Sequence, residues 1–175
     1  MKIGKIERDE ACASSPRGNY NLGTLCLFHR SYLLPNEGKM SVEETQKHIF
    51  SEFFKGVYLP VWAYDHGTVH FKAGARVGCF ADQWDSAQAG VIYVEREKIE
   101  EELYSDEPDV NVRVVQILSD EVEEFDAWQS GECYGYRIID SETGEEEDSC
   151  WGFIGSDVAV DAATEAGAEK IEMVD

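Results

Sequence analysis

The sequence predicts an α+β fold: a single domain of mainly antiparallel sheet, formed by hairpins, with about three to four helices packed on it. Three observations predict it. Short apolar blocks bounded by turn residues lie at 57–64, 91–94, 133–140 and 148–154, as half-buried or buried strands do. Two polar turns, Asp65–Gly67 and Ser141–Gly144, sit where hairpins would reverse. Helical periods fall between these blocks without strict strand–helix alternation, which argues against a parallel sheet. The 175 residues suffice for a real core, and 43% hydrophobic with 11% aromatic content makes disorder the wrong default.

Residues 1–21 read as an irregular N-terminal arm, with a turn-rich cluster from Ser14 to Asn19, and 22–175 as the domain. The block at 23–30 is expected to be the first strand. There Leu25, Leu27 and His29 point one way, and Cys26 and Phe28 the other. Ser41 followed by Glu44 forms a capping-box signature. The helix it opens carries Ile49, Phe50, Phe53, Phe54 and Val57 as an expected core stripe, with Gly56 as its C-cap. In the strand at 57–64, Pro60 demands an edge or a bulge. Residues 68–71 are the return strand and 72–89 a long loop. A short buried strand at 91–94 precedes a small helix at 96–104. A long helix at 110–129 should bury Val115, Leu118, Val122 and Phe125 and end at Gly131. The hairpin at 133–154 follows, and Ser156 is expected to cap a last helix reaching about Gly167.

With 36 acidic against 15 basic residues, the formal charge is −21. Such a chain repels nucleic acid and anionic membrane, and favours basic partners; solubility or salt adaptation is the plain alternative. Cys12, Cys26, Cys79, Cys133 and Cys150 are odd in number and widely spaced, with no C-x-x-C. That predicts neither a zinc knuckle nor a disulfide scaffold. The opening lacks an apolar h-region and no apolar run has membrane length, so the expected place is a reducing cytoplasm. No phosphate-binding glycine loop and no serine-hydrolase elbow occurs, and no cofactor is expected.

Four groups of residues are candidates for chemistry. Asp65, His66 and His70 could ligate a metal or simply decorate a hairpin. Tyr64, Asp65, His66, Trp84, Asp85 and Gln88 could line a small-molecule or hydrolytic pocket, whereas Asp85 and Ser86 could equally cap a neighbouring element. Cys150 could act as a nucleophile with His66 as base, or be inert strand core. The acid itself is the fourth. Glu100 and Glu101 lie in one run, Asp120, Glu121, Glu123, Glu124 and Asp126 in a second, and Glu145, Glu146 and Glu147 in a third. Such runs are ordinarily solvated faces, yet together they could make a coherent negative field.

The segments WDSAQAGVIYV (84–94), SGECYGYRIID (130–140) and DSCWGFIG (148–155), with the Tyr64–His66 turn, resemble a group of small phage and prophage proteins. The likeness spans roughly 22–165. It departs at Ala87, where the group commonly has Gly. The resemblance implies an accessory protein acting in a host cell. Small acidic proteins of that class often antagonise host defence, for instance as DNA mimics against restriction or CRISPR complexes, through a basic nucleic-acid-binding surface.

Overall fold

A computed structural model describes residues 1–11, 15–18, 20–28, 40–75, 86–103 and 109–174. Eight strands and four helices are present among them, and every strand pairing but one is antiparallel. The α+β expectation is thereby met. The strands sort into two four-stranded sheets rather than one. The chain divides into two compact units, Met1–Pro16 with Ala127–Asp175, and Arg17–Asp126.

The first unit holds β1 (Lys2–Arg8), β6 (Cys133–Asp140), β7 (Glu146–Ile154) and β8 (Lys170–Met173), in the order β7-β6-β1-β8. Residues 2–8 are therefore no arm. Gly4 and Ile6 form the buried face, with Ile3 on the other, and β1 lies between two partners, antiparallel to β6 and parallel to β8. A glycine at one of the two buried positions, with charged residues around them, conceals the alternation. Helix α4 (Ser156–Glu165) packs on β6, β1 and β7. Its Ala159 and Ala163 close on Ile6, Tyr136 and Ile138. Small residues let the helix approach closely, and Gly4 helps, since a Cβ there would stand 2.9 Å from Ala168 Cβ. Ser156 does not cap α4. Gly155, at φ 93°, is the N-cap, and Ser156 is the first helical residue.

The second unit holds β2 (Thr24–Leu27), β3 (Gly56–Asp65), β4 (Val69–Ala73) and β5 (Ser86–Glu95), ordered β2-β5-β3-β4. Pro60 sits in β3 one residue before a bulge between Val61 and Trp62. Pairing with β4 begins only at Val61, so proline's missing N–H leaves the ladder intact. The expected loop at 72–89 is shorter, because β4 runs on to Ala73 and β5 already begins at Ser86. Helix α1 (Val42–Ile49) opens with the expected capping box: Ser41 Oγ accepts from Glu44 N–H, and Glu44 accepts from the Ser41 N–H at 2.8 Å. Its end was expected later. The helix stops at Phe50, and Gly56 starts β3 instead. Phe50 and Phe53 are consequently exposed rather than core, while Ile49 packs with Cys26, Val91 and Tyr93 on one face of the sheet.

Helix α2 (Arg96–Glu102) follows β5, and α3 spans Val110–Gln129. The buried stripe of α3 runs through Val114, Leu118, Val122 and Phe125. Val115, expected inside, is exposed: Val114 is four residues from Leu118 and takes that place. Phe125 meets Phe71 at a ring separation of 5.9 Å. Gly131, at φ 75°, ends the helix as the left-handed residue the sequence predicts.

Candidate functional site

The acidic side chains of α3 divide by what they touch. Asp120, Glu123 and Glu124 are exposed at spacings of three and four residues. On a helix that places Asp120 about 5–6 Å from each of the other two. The neighbours Glu123 and Glu124 diverge by about 100°, so the three form a broad acidic ridge and not a single row. Gln116 donates to Asp120 at 2.7 Å from the same ridge. Burial pushes the Glu124 carboxyl above its ordinary range, with the Glu121 charge adding to the rise and Arg17 opposing it. Removing one carboxylate of a close pair from its ionised state costs less than holding both ionised.

Two residues expected on that surface are not there. Glu121 is buried. Its Oε2 takes the Arg17 guanidinium at 2.9 Å, and its Oε1 accepts the Leu22 N–H at 2.5 Å. The Gly23 N–H donates to Glu121 Oε2 at 3.1 Å, and Arg17 donates onward to the Gly23 carbonyl. Glu121 therefore anchors the segment entering β2, which buries the charge but satisfies it. Asp126 is also engaged. It accepts the Phe71 N–H at 2.7 Å and meets His70 Nδ1 at 3.1 Å. Because β4 is an edge of its sheet, Asp126 occupies a backbone donor that the edge would otherwise present. Asp126 is four residues on from the buried Val122, so helical geometry brings it toward the inner face, against the outward reading that its charge suggests.

On α2, Glu100 and Glu101 are exposed, and Arg96 Nε pairs with Glu100 at 2.9 Å. In the first unit, Glu145, Glu146 and Glu147 are exposed on and before β7. Lys2 pairs with Glu147 at 2.6 Å, and Arg137 pairs closely with Glu7 and reaches Glu146 at 3.7 Å. These are solvent-side pairs of modest strength. Asp140 holds the turn before β7. It accepts the Glu142 and Thr143 N–H groups, which keep its carboxyl below the ordinary range.

The residues expected to line a pocket gather only in part. The Tyr64 and His66 rings stack at 6.1 Å on the β3–β4 hairpin. Asp65, His66 and Gln88 are exposed, with Gln88 opposite Trp62 in the β3–β5 register. Trp84 and Asp85 lie outside the described residues. His70 turns to Asp126, and no group of three or more His, Cys, Asp or Glu side chains among the described residues is placed to hold a metal.

The cysteines also depart from expectation. Cys26 is a buried free thiol, whereas Cys150, read as either a nucleophile or inert strand core, is free and exposed, so it is not core. Cys133 is disulfide-bonded, which the wide spacing does not predict. Cys12 and Cys79 lie outside the described residues. Cys150 and His66 belong to different compact units.

A cluster that sequence reasoning passed over joins α1 to β3 and β5. Phe54 meets His48, Tyr58 and Tyr93 edge-on, and Phe50 meets Tyr58 at 5.7 Å. His48 Nε2 lies 2.5 Å from Glu95 Oε1. The signal was the phenylalanine stripe, visible in the sequence but assigned to the core. No described helix is long and apolar enough to cross a membrane. No protein-family model, curated protein or solved structure matches the chain.

Proposed function

We propose that the chain is a phage-type accessory protein that inhibits a host defence protein by occupying its basic nucleic-acid-binding surface. The ridge of Asp120, Glu123 and Glu124 on α3 carries this reading. It is exposed on a rigid helix and set in a chain of formal charge −21. Carboxylates fixed on one helix present anionic groups without the ordering cost of a flexible tail. A basic cleft built for phosphates would be attracted to it over a Debye length of about 8 Å at physiological salt. The resemblance of 84–94, 130–140 and 148–155 to phage proteins points to the same setting. Binding by this route uses no cofactor and makes no covalent change.

The test is inhibition of a purified restriction or CRISPR effector binding its own DNA, titrated with the chain at low and high salt. Inhibition at low salt that fades as salt rises is expected. The double exchange Glu123→Lys, Glu124→Lys should weaken it by about tenfold or more. Both positions are exposed, so folding should persist, and circular dichroism checks this. Undiminished inhibition by the double variant at low salt ends the proposal.

A further inference from the structure

Strand β7 ends the sheet of the first unit, so among the described residues no strand lies beside one side of its backbone. From Glu146 to Gly152 every residue of it is exposed, on both faces. An edge of this length is a ready template for another extended chain, because unpaired N–H and C=O groups already stand at ladder spacing. Glu147 is bulged out of the β6 register, so the regular edge runs over the four residues from Asp148 to Trp151, about 13 Å, with the acidic bulge at its start. At Gly152, φ 91° turns the backbone and closes that stretch.

Charge decides what fits. The turn and strand carry Glu142, Glu145, Glu146, Glu147 and Asp148, against which the unit sets Lys2 on Glu147 and Arg137 on Glu146. Arg137 is shared with Glu7, to which it is bonded more closely. Among the described residues Glu142 and Glu145 have no cation. A second copy of the chain would add its own −21 to this edge. A basic strand would bring opposite charges beside the run, which stabilises cross-strand neighbours. Trp151 supplies the apolar end of the same edge. Its indole lies over Gly135 and is 43% exposed, leaving ring surface for an alternate side chain of the incoming strand.

We infer that β7 is a docking edge that adds an extended, lysine- or arginine-rich segment of a partner protein as a fifth strand. The inference stands apart from the α3 ridge, whose charges remain intact in every arm of its test. Failure here leaves that proposal standing, and the Glu123 and Glu124 exchanges leave this one standing.

The probe is an acetylated, amidated peptide of eight residues alternating lysine and threonine, titrated into the full chain. Binding is followed by amide shifts and by the Trp151 indole N–H shift in the nuclear magnetic resonance spectrum. Saturable shifts confined to Glu146–Trp151 and their β6 neighbours are expected. The same peptide N-methylated at alternate residues keeps its charge but cannot donate to the edge, and should lose at least about tenfold in affinity. The triple exchange Glu145→Gln, Glu146→Gln, Glu147→Gln should weaken the unmethylated peptide as well. Equal binding of the methylated peptide would reduce the effect to bulk charge and overturn the inference. So would shifts elsewhere, absence of binding, or concentration-dependent dimerisation that shifts β7 in the peptide's absence.

Discussion

Strands β5 and β7 are nearly equal in length, ten and nine residues, yet they live in opposite surroundings. From Ala89 to Val94, six successive residues of β5 are buried, so both faces of that strand are covered. Cys26, Ile49 and Tyr93 lie against Val91 on one side, while Ile92 stands near Leu118 of α3. A strand packed from both sides needs an apolar residue at every position, which Val91-Ile92-Tyr93-Val94 provides. Strand β7 touches α4, has no strand at its outer edge among the described residues, and its first seven residues are all exposed. Glu146, Glu147 and Asp148 suit that place, since charge discourages unwanted strand pairing. The difference teaches that a strand's position in its sheet, more than its strand propensity, sets which residues it tolerates. It also separates the parts of the molecule that hold the fold from those free to meet a partner.

The largest effect belongs to the buried ion pair that serves the β5 sheet. Glu121→Ala strips Arg17 of its carboxylate and leaves the Leu22 and Gly23 N–H groups without their acceptor. Breaking a buried pair from one side costs about 3–5 kcal/mol. Urea unfolding should show a loss of that size, whereas Glu123→Ala, exposed two residues on, should change stability by less than about 0.5 kcal/mol. Equal effects at the two positions would mean that Arg17 and Glu121 are not coupled in the folded chain.

Much of this contrast was legible in the sequence, and the remainder fails for identifiable reasons. The capping box at Ser41, the limits of α3, and the hairpin strand Cys133–Asp140 follow from local signals, because caps and tight turns are decided within a few residues. Strand β8 was missed, since Lys170-Ile171-Glu172-Met173 carries too little apolar pattern to announce a strand. Its partner β1 lies at the other end of the chain, and pairings of that range leave no local trace. The site was legible only in outline. Charge runs revealed where acid is abundant, but not that Glu121 would be turned inward by Arg17 or that Asp126 would seal the β4 edge. Those outcomes depend on which element arrives opposite.

A smaller effect compares two glycines, one in each sheet. A Cβ on Gly90 of β5 would overlap the Cys26 carbonyl oxygen and come within 2.9 Å of Leu27 Cα. Both obstacles are backbone of the paired strand β2, so the ladder itself must shift. Gly90→Ala should cost about 1–3 kcal/mol. A Cβ on Gly135 of β6 would meet the Trp151 ring first. That ring is partly exposed and can swing toward solvent, so Gly135→Ala should cost less than Gly90→Ala in the same urea measurement. It should, however, shift the Trp151 indole N–H resonance. If the order of the two costs is reversed, the indole is locked in place and the freedom assigned to the β7 edge is wrong.

The smallest effect concerns the ridge and its pH dependence. Burial first, and Glu121 second, raise the folded-state pKa of Glu124 above its unfolded value, with Arg17 opposing. The folded chain therefore holds this proton more tightly than the unfolded chain. The associated stability is fully present below the unfolded carboxylate pKa, about 4.3, and is lost as pH rises through the raised folded value. At pH 7 an ionised Glu124 works against folding. Glu124→Gln should accordingly raise Tm at pH 7, by no more than about 2 °C given the residue's exposure. The gain should vanish near pH 3.5, where the native carboxyl is already neutral. Glu123→Gln removes the same formal charge one residue away and subtracts the general benefit of lowering −21. If Glu123→Gln raises Tm at pH 7 as much as Glu124→Gln does, the pH effect belongs to net charge alone. A larger rise for Glu124→Gln would instead locate it at the one ridge carboxylate that the fold partly withdraws from water.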